Sequence, residues 1–177
     1  MPHDLESPSD WVSRFATLIA REGRVLDLAC GHGRHTRLLA GLGYSVTAVD
    51  QDENALASME GIVGVEVIRA DLESGAWPFD GQAFTGVIVT NYLHRPLLPS
   101  LVQVLAPGGV LIYETFAAGN ERYGRPANPN FLLERGELLR LAYGHLRIVA
   151  YEDLLTDRPR PAMVQRICAV NDAYLSR

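Results

Sequence analysis

The sequence predicts an α/β domain assembled from strand–helix–strand units, and three observations carry that prediction. Residues 24–50, RVLDLACGHGRHTRLLAGLGYSVTAVD, read as a buried strand, a glycine-rich turn, a short helix, a second turn and a second buried strand. Short apolar runs at 65–69, 84–90 and 110–115 then alternate with helix-compatible segments. Two further β-rich runs, 146–151 and 163–170, are joined by Asp157-Arg158-Pro159-Arg160-Pro161.

Length and composition bound the rest. The 177 residues suit one domain, 1–177, long enough to bury a real core. The hydrophobic share of 47% and the charged share of 21% are ordinary for a globular chain. The formal net charge is −5, and lysine is absent, so all 16 basic residues are arginine. That balance excludes a protein gripping a long stretch of nucleic acid, which needs a basic face; a local arginine patch stays open. Cys30 and Cys168 have no metal-ligand neighbours and read as free thiols of a reducing compartment. The N-terminal MPHDLESPSD is acidic and polar, unlike a signal peptide, and no apolar run approaches the ~20 residues of a membrane span. The cytoplasm is the expected location. Oligomeric state is not legible.

The central unit carries the chemistry. The missing Cβ at Gly31 and Gly33 lets backbone approach a ligand closely, and the helix that follows offers unpaired N–H groups. A dinucleotide fingerprint G-x-G-x-x-G needs a third small residue, and Thr36 stands there instead. Asp27, just before the turn, is a poor neighbour for a pyrophosphate and a good one for a cationic or amine-bearing ligand. The pattern Asp27-x-Ala29-Cys30-Gly31-x-Gly33, with Asp50 closing the second strand, resembles the first motifs of class I S-adenosylmethionine-dependent methyltransferases. The resemblance implies that Asp27, Ala29, Cys30, Gly31 and Gly33 fold under the methionine part of S-adenosyl-L-methionine. It further implies that Asp50 accepts both ribose hydroxyls, with Gln51 beside it, and that the product is S-adenosyl-L-homocysteine.

Taken in order, residues 1–8 read as a loose tail. Ser9 or Asp10 caps a helix with Trp11, Phe15, Leu18 and Ile19 on one stripe, either packed on the sheet or closing a lid over the site. Residues 51–59 predict a second helix, and 65–69 a third strand ending at Asp71 and Leu72. The resemblance gives Asp71 and the Leu72 backbone to the adenine; the alternative is that Asp71 caps the following turn. Trp77, Pro78 and Phe79 make an aromatic turn before the fourth strand, 84–90, where Thr85 replaces an acid usual in the family. Ligands of open parallel sheets bind beyond the strands' carboxyl ends where strand order reverses, so Asn91, Tyr92 and His94 emerge where a methyl acceptor should lie. A helix over 99–105 stops at Ala106-Pro107-Gly108-Gly109, and the following GGVLIYETF resembles small bacterial members near the tellurite-resistance type. Residues 117–130, AAGNERYGRPANPN, form a long ordered loop, read as a flap whose Arg122, Tyr123 and Arg125 meet the acceptor, or else as a solvent-exposed connection. Residues 131–143 predict an amphipathic helix. The resemblance implies a Rossmann-like fold: a seven-stranded, mostly parallel sheet in the order 3-2-1-4-5-7-6, helices on both faces, and a closing antiparallel hairpin.

Methyl transfer from a sulfonium asks for proximity, alignment and a dry site. A base is needed only for a protonated acceptor, and the candidates are His94 and Glu114, with Tyr92, Tyr113 and Tyr123 shaping the pocket. His94 could equally cap the helix after it. No metal is expected, since His32, His35, Cys30 and Asp27 lack the spacing of a metal site. The expected partner is a small-molecule acceptor, with no nucleic acid and no membrane. Two rivals remain: a non-catalytic S-adenosylmethionine-binding sensor or partner protein, and a nicotinamide-dependent oxidoreductase. Thr36 and the absence of any Tyr-x-x-x-Lys pair argue against the latter.

Overall fold

The computed structural model describes residues 7–172, so most of the expected N-terminal tail lies outside the described residues. Seven strands form one sheet in the order β3-β2-β1-β4-β5-β7-β6, as the resemblance implies. They are β1 (Arg24–Leu28), β2 (Ser45–Asp50), β3 (Val65–Arg69), β4 (Phe84–Thr90), β5 (Leu105–Phe116), β6 (Arg147–Thr156) and β7 (Ala162–Val170). The first five run parallel, and β7 pairs antiparallel with both β5 and β6. The inner strands β1, β2, β4 and β7 are apolar almost without interruption because both faces are covered, whereas the edge strands β3 and β6 carry charged, exposed residues. Val25, Val46, Ile88 and Ile112 face one layer, with α1 (Asp10–Phe15) and Leu39 of α2 (Arg34–Gly41). Leu26, Val49, Val87 and Leu111 face the other, with Leu101 of α4 (Leu98–Gln103) and Leu138 of α5 (Glu137–Ala142). A smaller cluster joins Leu56 of α3 (Glu53–Ala57) to Ala48 of β2.

Local chemistry explains the element ends. The Ser9 hydroxyl accepts the amides of Trp11 at 3.1 Å and Val12 at 3.4 Å, which makes it the N-cap of α1. The Asp52 carboxylate does the same for Asn54 and Ala55, so α3 begins two residues later than position 51. Leu18 leaves the expected stripe: the helix tightens into a 3-10 turn at Ala16–Leu18, and Leu18 is half exposed while Ile19 is buried.

Two stretches differ more. Pro107-Gly108-Gly109 lies within β5, as a bulge between the pairs Phe84–Leu105 and Gly86–Val110. Asn171 holds that bulge: its side-chain amide donates to the carbonyls of Leu105 and Ala106, its backbone N–H to Gly109, and its carbonyl accepts from Gly108. The predicted 131–143 helix shrinks to a 3-10 turn at Pro129–Phe131 and α5. The Leu133 amide donates to Phe116 and its carbonyl accepts from Ala118, so the chain between is spent extending β5 and cannot close helical bonds.

Candidate functional site

The carboxyl ends of β1, β2, β3 and β4 meet at the point where strand order reverses. Two non-glycine residues there have positive φ: Ala29 at 52°, directly after β1, and Asn91 at 53°, directly after β4. Strain of this kind persists only where surrounding structure over-determines it, and it clusters at functional sites. The two glycines of the turn serve different ends. A Cβ on Gly31 would stand in open space, whereas one on Gly33 would collide with the Met59 side chain. Gly31 therefore borders open space, and Gly33 is the packing glycine.

Asp27 is 1% exposed, and Thr36 answers it: the hydroxyl donates to Oδ2 at 2.6 Å and the Thr36 backbone amide also contributes. Burial pushes the Asp27 carboxyl up to about 6, against the pull of Thr36 and of Arg34. The residue that breaks the dinucleotide fingerprint is thus the partner of the acid. Burial raises the Cys30 thiol strongly, and the charges of Asp27 and Asp50 raise it further, so the three groups share one electrostatic site. Asp50 accepts from the Gly31 amide at 2.8 Å and from the Asp52 amide at 3.0 Å, one on each oxygen. A carboxylate offers roughly four acceptor positions, so two remain for hydroxyl donors. Gln51 is exposed beside it.

Asp71 caps the turn after β3. Its Oδ1 accepts the amides of Glu73 at 2.9 Å and Ser74 at 3.2 Å, and its Oδ2 accepts the Ser74 hydroxyl. Those bonds hold its carboxyl below the usual range. Leu72 is buried in the core beside it. Tyr92 belongs to this side of the cleft, since burial and then the charges of Glu73, Asp71 and Asp50 push its hydroxyl up to about 12. That hydroxyl is buried and finds no hydrogen-bond partner among the described residues. Tyr113 is fully buried and donates to the Tyr92 carbonyl at 2.8 Å, which fixes the segment from below. His94 occupies the cap position of the 3-10 turn Arg95–Leu97, yet its ring makes no capping bond, and its charge is felt by Asp71.

Glu114 is placed differently. It accepts from Arg166 at 3.1 Å and from the Ser9 hydroxyl at 2.7 Å, while Arg166 also pairs with Glu152 and lies over the Trp11 ring. Both oxygens are engaged, so taking up a proton would cost an ion pair. Sequence reasoning, which offered Glu114 as a base, had no means of seeing Arg166 across 52 residues. Nor did it foresee His35, buried and neutral: Ser9 donates its amide to Nε2 at 3.0 Å, leaving the proton on Nδ1 beside the Thr90 hydroxyl. Burial and Arg34 depress that imidazole to about 3.

On the other side of Asn91, two cavities of about 860 Å³ and about 590 Å³ share Asn91, Phe116 and Arg160. Arg125 lines the smaller; Arg122 and Tyr123 line neither. The 117–130 loop that walls this space is held by Asn120, 1% exposed, whose amide donates to Pro126 and whose carbonyl accepts from Met163. Arg95 clamps the adjoining segment, forming a two-pronged pair with Glu137 at 2.8 and 2.9 Å and donating to the carbonyls of Asn130 and Leu132. Among the described residues, no group of three or more His, Cys, Asp or Glu is arranged to hold a metal, and no helix is long and apolar enough to cross a membrane.

Comparison with known proteins agrees with this geometry. Residues 25–109 match a methyltransferase domain family. Trans-aconitate 2-methyltransferase of Delftia acidovorans is 29% identical over 161 residues, covering 83% of this chain and 60% of its own length. The chain thus spans less than two thirds of that relative. The solved structure of TehB from Haemophilus influenzae superposes with a TM-score of 0.73 at 20% identity, covering 92% of this chain and 62% of TehB. An S-adenosylmethionine-dependent methyltransferase from Mesorhizobium loti gives a TM-score of 0.66 at 23% identity, over 89% of this chain and 96% of its own.

Proposed function

We propose that the chain is a class I S-adenosylmethionine-dependent methyltransferase, near the TehB type, that transfers a methyl group from S-adenosyl-L-methionine to a small molecule. The observation that carries the reading is the donor and acceptor set at the end of the first four strands. Asp50 has acceptor positions to spare, and Gly31 opens onto free space. An adenosyl group supplies two ribose hydroxyls for the free acceptor positions of Asp50 and a body to lie over Gly31. When bound, S-adenosyl-L-methionine would bring a methyl group on a positively charged sulfur.

The chain's own residues would then do the following. Asp50 and Gln51 would orient the ribose, with Asp71 and the Leu72 backbone alongside the adenine. Asp27, held under the turn by Thr36, would set a negative field beneath Ala29, Cys30, Gly31 and Gly33, suited to a cationic and amine-bearing ligand. Asn91, at the end of β4, lines both cavities, and an acceptor would lie in one of them. His94, whose ring makes no capping bond to the 3-10 turn it begins, would take a proton from an acceptor that arrives with one. Two buried, unpaired cysteines accord with work in a reducing, cytoplasmic setting.

The test is ligand stabilisation. A ligand that binds only the folded state adds about 2.7 kcal/mol at a hundred times its dissociation constant. S-adenosyl-L-homocysteine should raise the melting temperature and NAD should not. Asp50→Ala should abolish most of that rise, and the reverse pattern of ligands would overturn the proposal. Binding without turnover of any acceptor would favour the non-catalytic S-adenosylmethionine-binding alternative.

A further inference from the structure

We propose that the methyl acceptor is an organic acid, its carboxylate held by Arg125 and Arg160 and its apolar body lying between Phe116 and Phe131; the inference rests on the methyltransferase reading above. The chain as a whole is acidic, with a formal charge of −5, yet the smaller cavity is lined by two arginines and by no acid. Neither arginine has a carboxylate partner within ion-pair distance among the described residues, whereas Arg95, Arg147 and Arg166 all do. The two come from separate loops, 117–130 and the β6–β7 turn, and they meet because Arg160 donates to the Arg125 carbonyl at 3.3 Å. That bond uses one N–H of the Arg160 fork and leaves the rest, together with the whole Arg125 guanidinium, for an anion.

Two arginine side chains in a wall that holds no acid suit an anion, and a planar carboxylate is the partner whose geometry matches a guanidinium fork. The remaining walls narrow the class. Phe131 is half exposed at the rim and Phe116 is partly buried at the base, with no polar side chain but Asn91 and Asn128 between them. A cavity of about 590 Å³, sharing Asn91, Phe116 and Arg160 with a second of about 860 Å³, is far larger than an inorganic oxyanion requires and suits a molecule with a carbon skeleton. Asn91, directly after β4, lines both cavities and so links them to the carboxyl end of the sheet.

The test uses the full chain loaded with S-adenosyl-L-homocysteine and two probe pairs, benzoate with benzamide and phenylacetate with phenylacetamide. Affinity is read by ligand-observed NMR at low and at physiological ionic strength. Each acid should bind at least about tenfold tighter than its amide at low salt, and the advantage should shrink as salt screens the charge. An Arg125→Gln, Arg160→Gln double variant should lose the preference for acids. Phe131→Ala should weaken acid and amide alike. Equal binding of acid and amide, or a preference that survives in the double variant, overturns the proposal. The same samples report S-adenosyl-L-homocysteine binding: its loss defeats the methyltransferase reading, and its persistence without acid preference defeats this inference alone.

Discussion

Replacing Asp27 by asparagine should make the ligand-free protein more stable at neutral pH while weakening its hold on cofactor. The carboxyl is 1% exposed, and burial lifts it from an ordinary 3.8 to about 6. A group whose proton is held more tightly in the folded state favours folding below pH 3.8, and that contribution disappears as pH rises through 6. Each unit corresponds to about 1.4 kcal/mol, so an ionised Asp27 costs about 3 kcal/mol at pH 7.5 relative to a neutral side chain of the same shape. Asparagine keeps an acceptor for the Thr36 hydroxyl and forfeits the second bond, from the Thr36 amide, at about 1 kcal/mol. The net gain is about 2 kcal/mol, or roughly 4–8 °C in a chain of this size. Thermal melts from pH 3.5 to 8 would read it: the parent should lose stability between pH 4 and 6 relative to the variant, and the two curves should run parallel above that. A variant that melts below the parent at pH 7.5 would refute the electrostatic account of this site. S-adenosyl-L-methionine affinity, measured by calorimetry, should fall in the variant, the exchange of stability for function expected of a charge buried for a ligand.

Three further outcomes follow from the same geometry. Thr36→Val removes the hydroxyl that offsets Asp27's burial, so it should cost about 1–2 kcal/mol at pH 7.5 and carry the loss of stability to higher pH, both visible in the same melts. Arg95→Ala leaves Glu137 paired with little and releases the Asn130 and Leu132 carbonyls; given that Arg95 is partly solvated, about 1–3 kcal/mol should be lost, with faster amide exchange across 129–137. His94→Ala should leave S-adenosyl-L-homocysteine affinity intact and lower turnover roughly 10²–10⁴-fold for a protonated acceptor; unaltered turnover would reduce His94 to the residue that begins a 3-10 turn.

Much of the frame is legible in the chain because the information it needs is local. Alternating apolar runs of five to seven residues, the αL-tolerant Gly31 and Gly33, and acids at 27 and 50 predict parallel strands and a turn whose backbone conformation few other residues allow. Caps are equally local: Ser9 and Asp52 reach amides two and three residues away. Where a segment's backbone is claimed by distant partners, local pattern misleads. The 131–143 helix is cut short by Leu133 pairing with Phe116 and Ala118, and Pro107-Gly108-Gly109 stays in β5 because Asn171 satisfies it.

The site divides along the same line. Sequence alone determined the strand–turn–helix–strand unit, its paired acids, and the absence of lysine that leaves arginine as the sole fixed cation, since each depends on residue type and short spacing. Only the tertiary structure decided what those groups face. It put Thr36 under Asp27, tied Glu114 to Arg166, left the Tyr92 hydroxyl without a partner among the described residues, and brought Arg125 beside Arg160 from loops 35 residues apart. The physical reason is that charge and hydrogen bonding act through space over a few ångströms, and the sheet order 3-2-1-4-5-7-6 sets which distant residues come within that range.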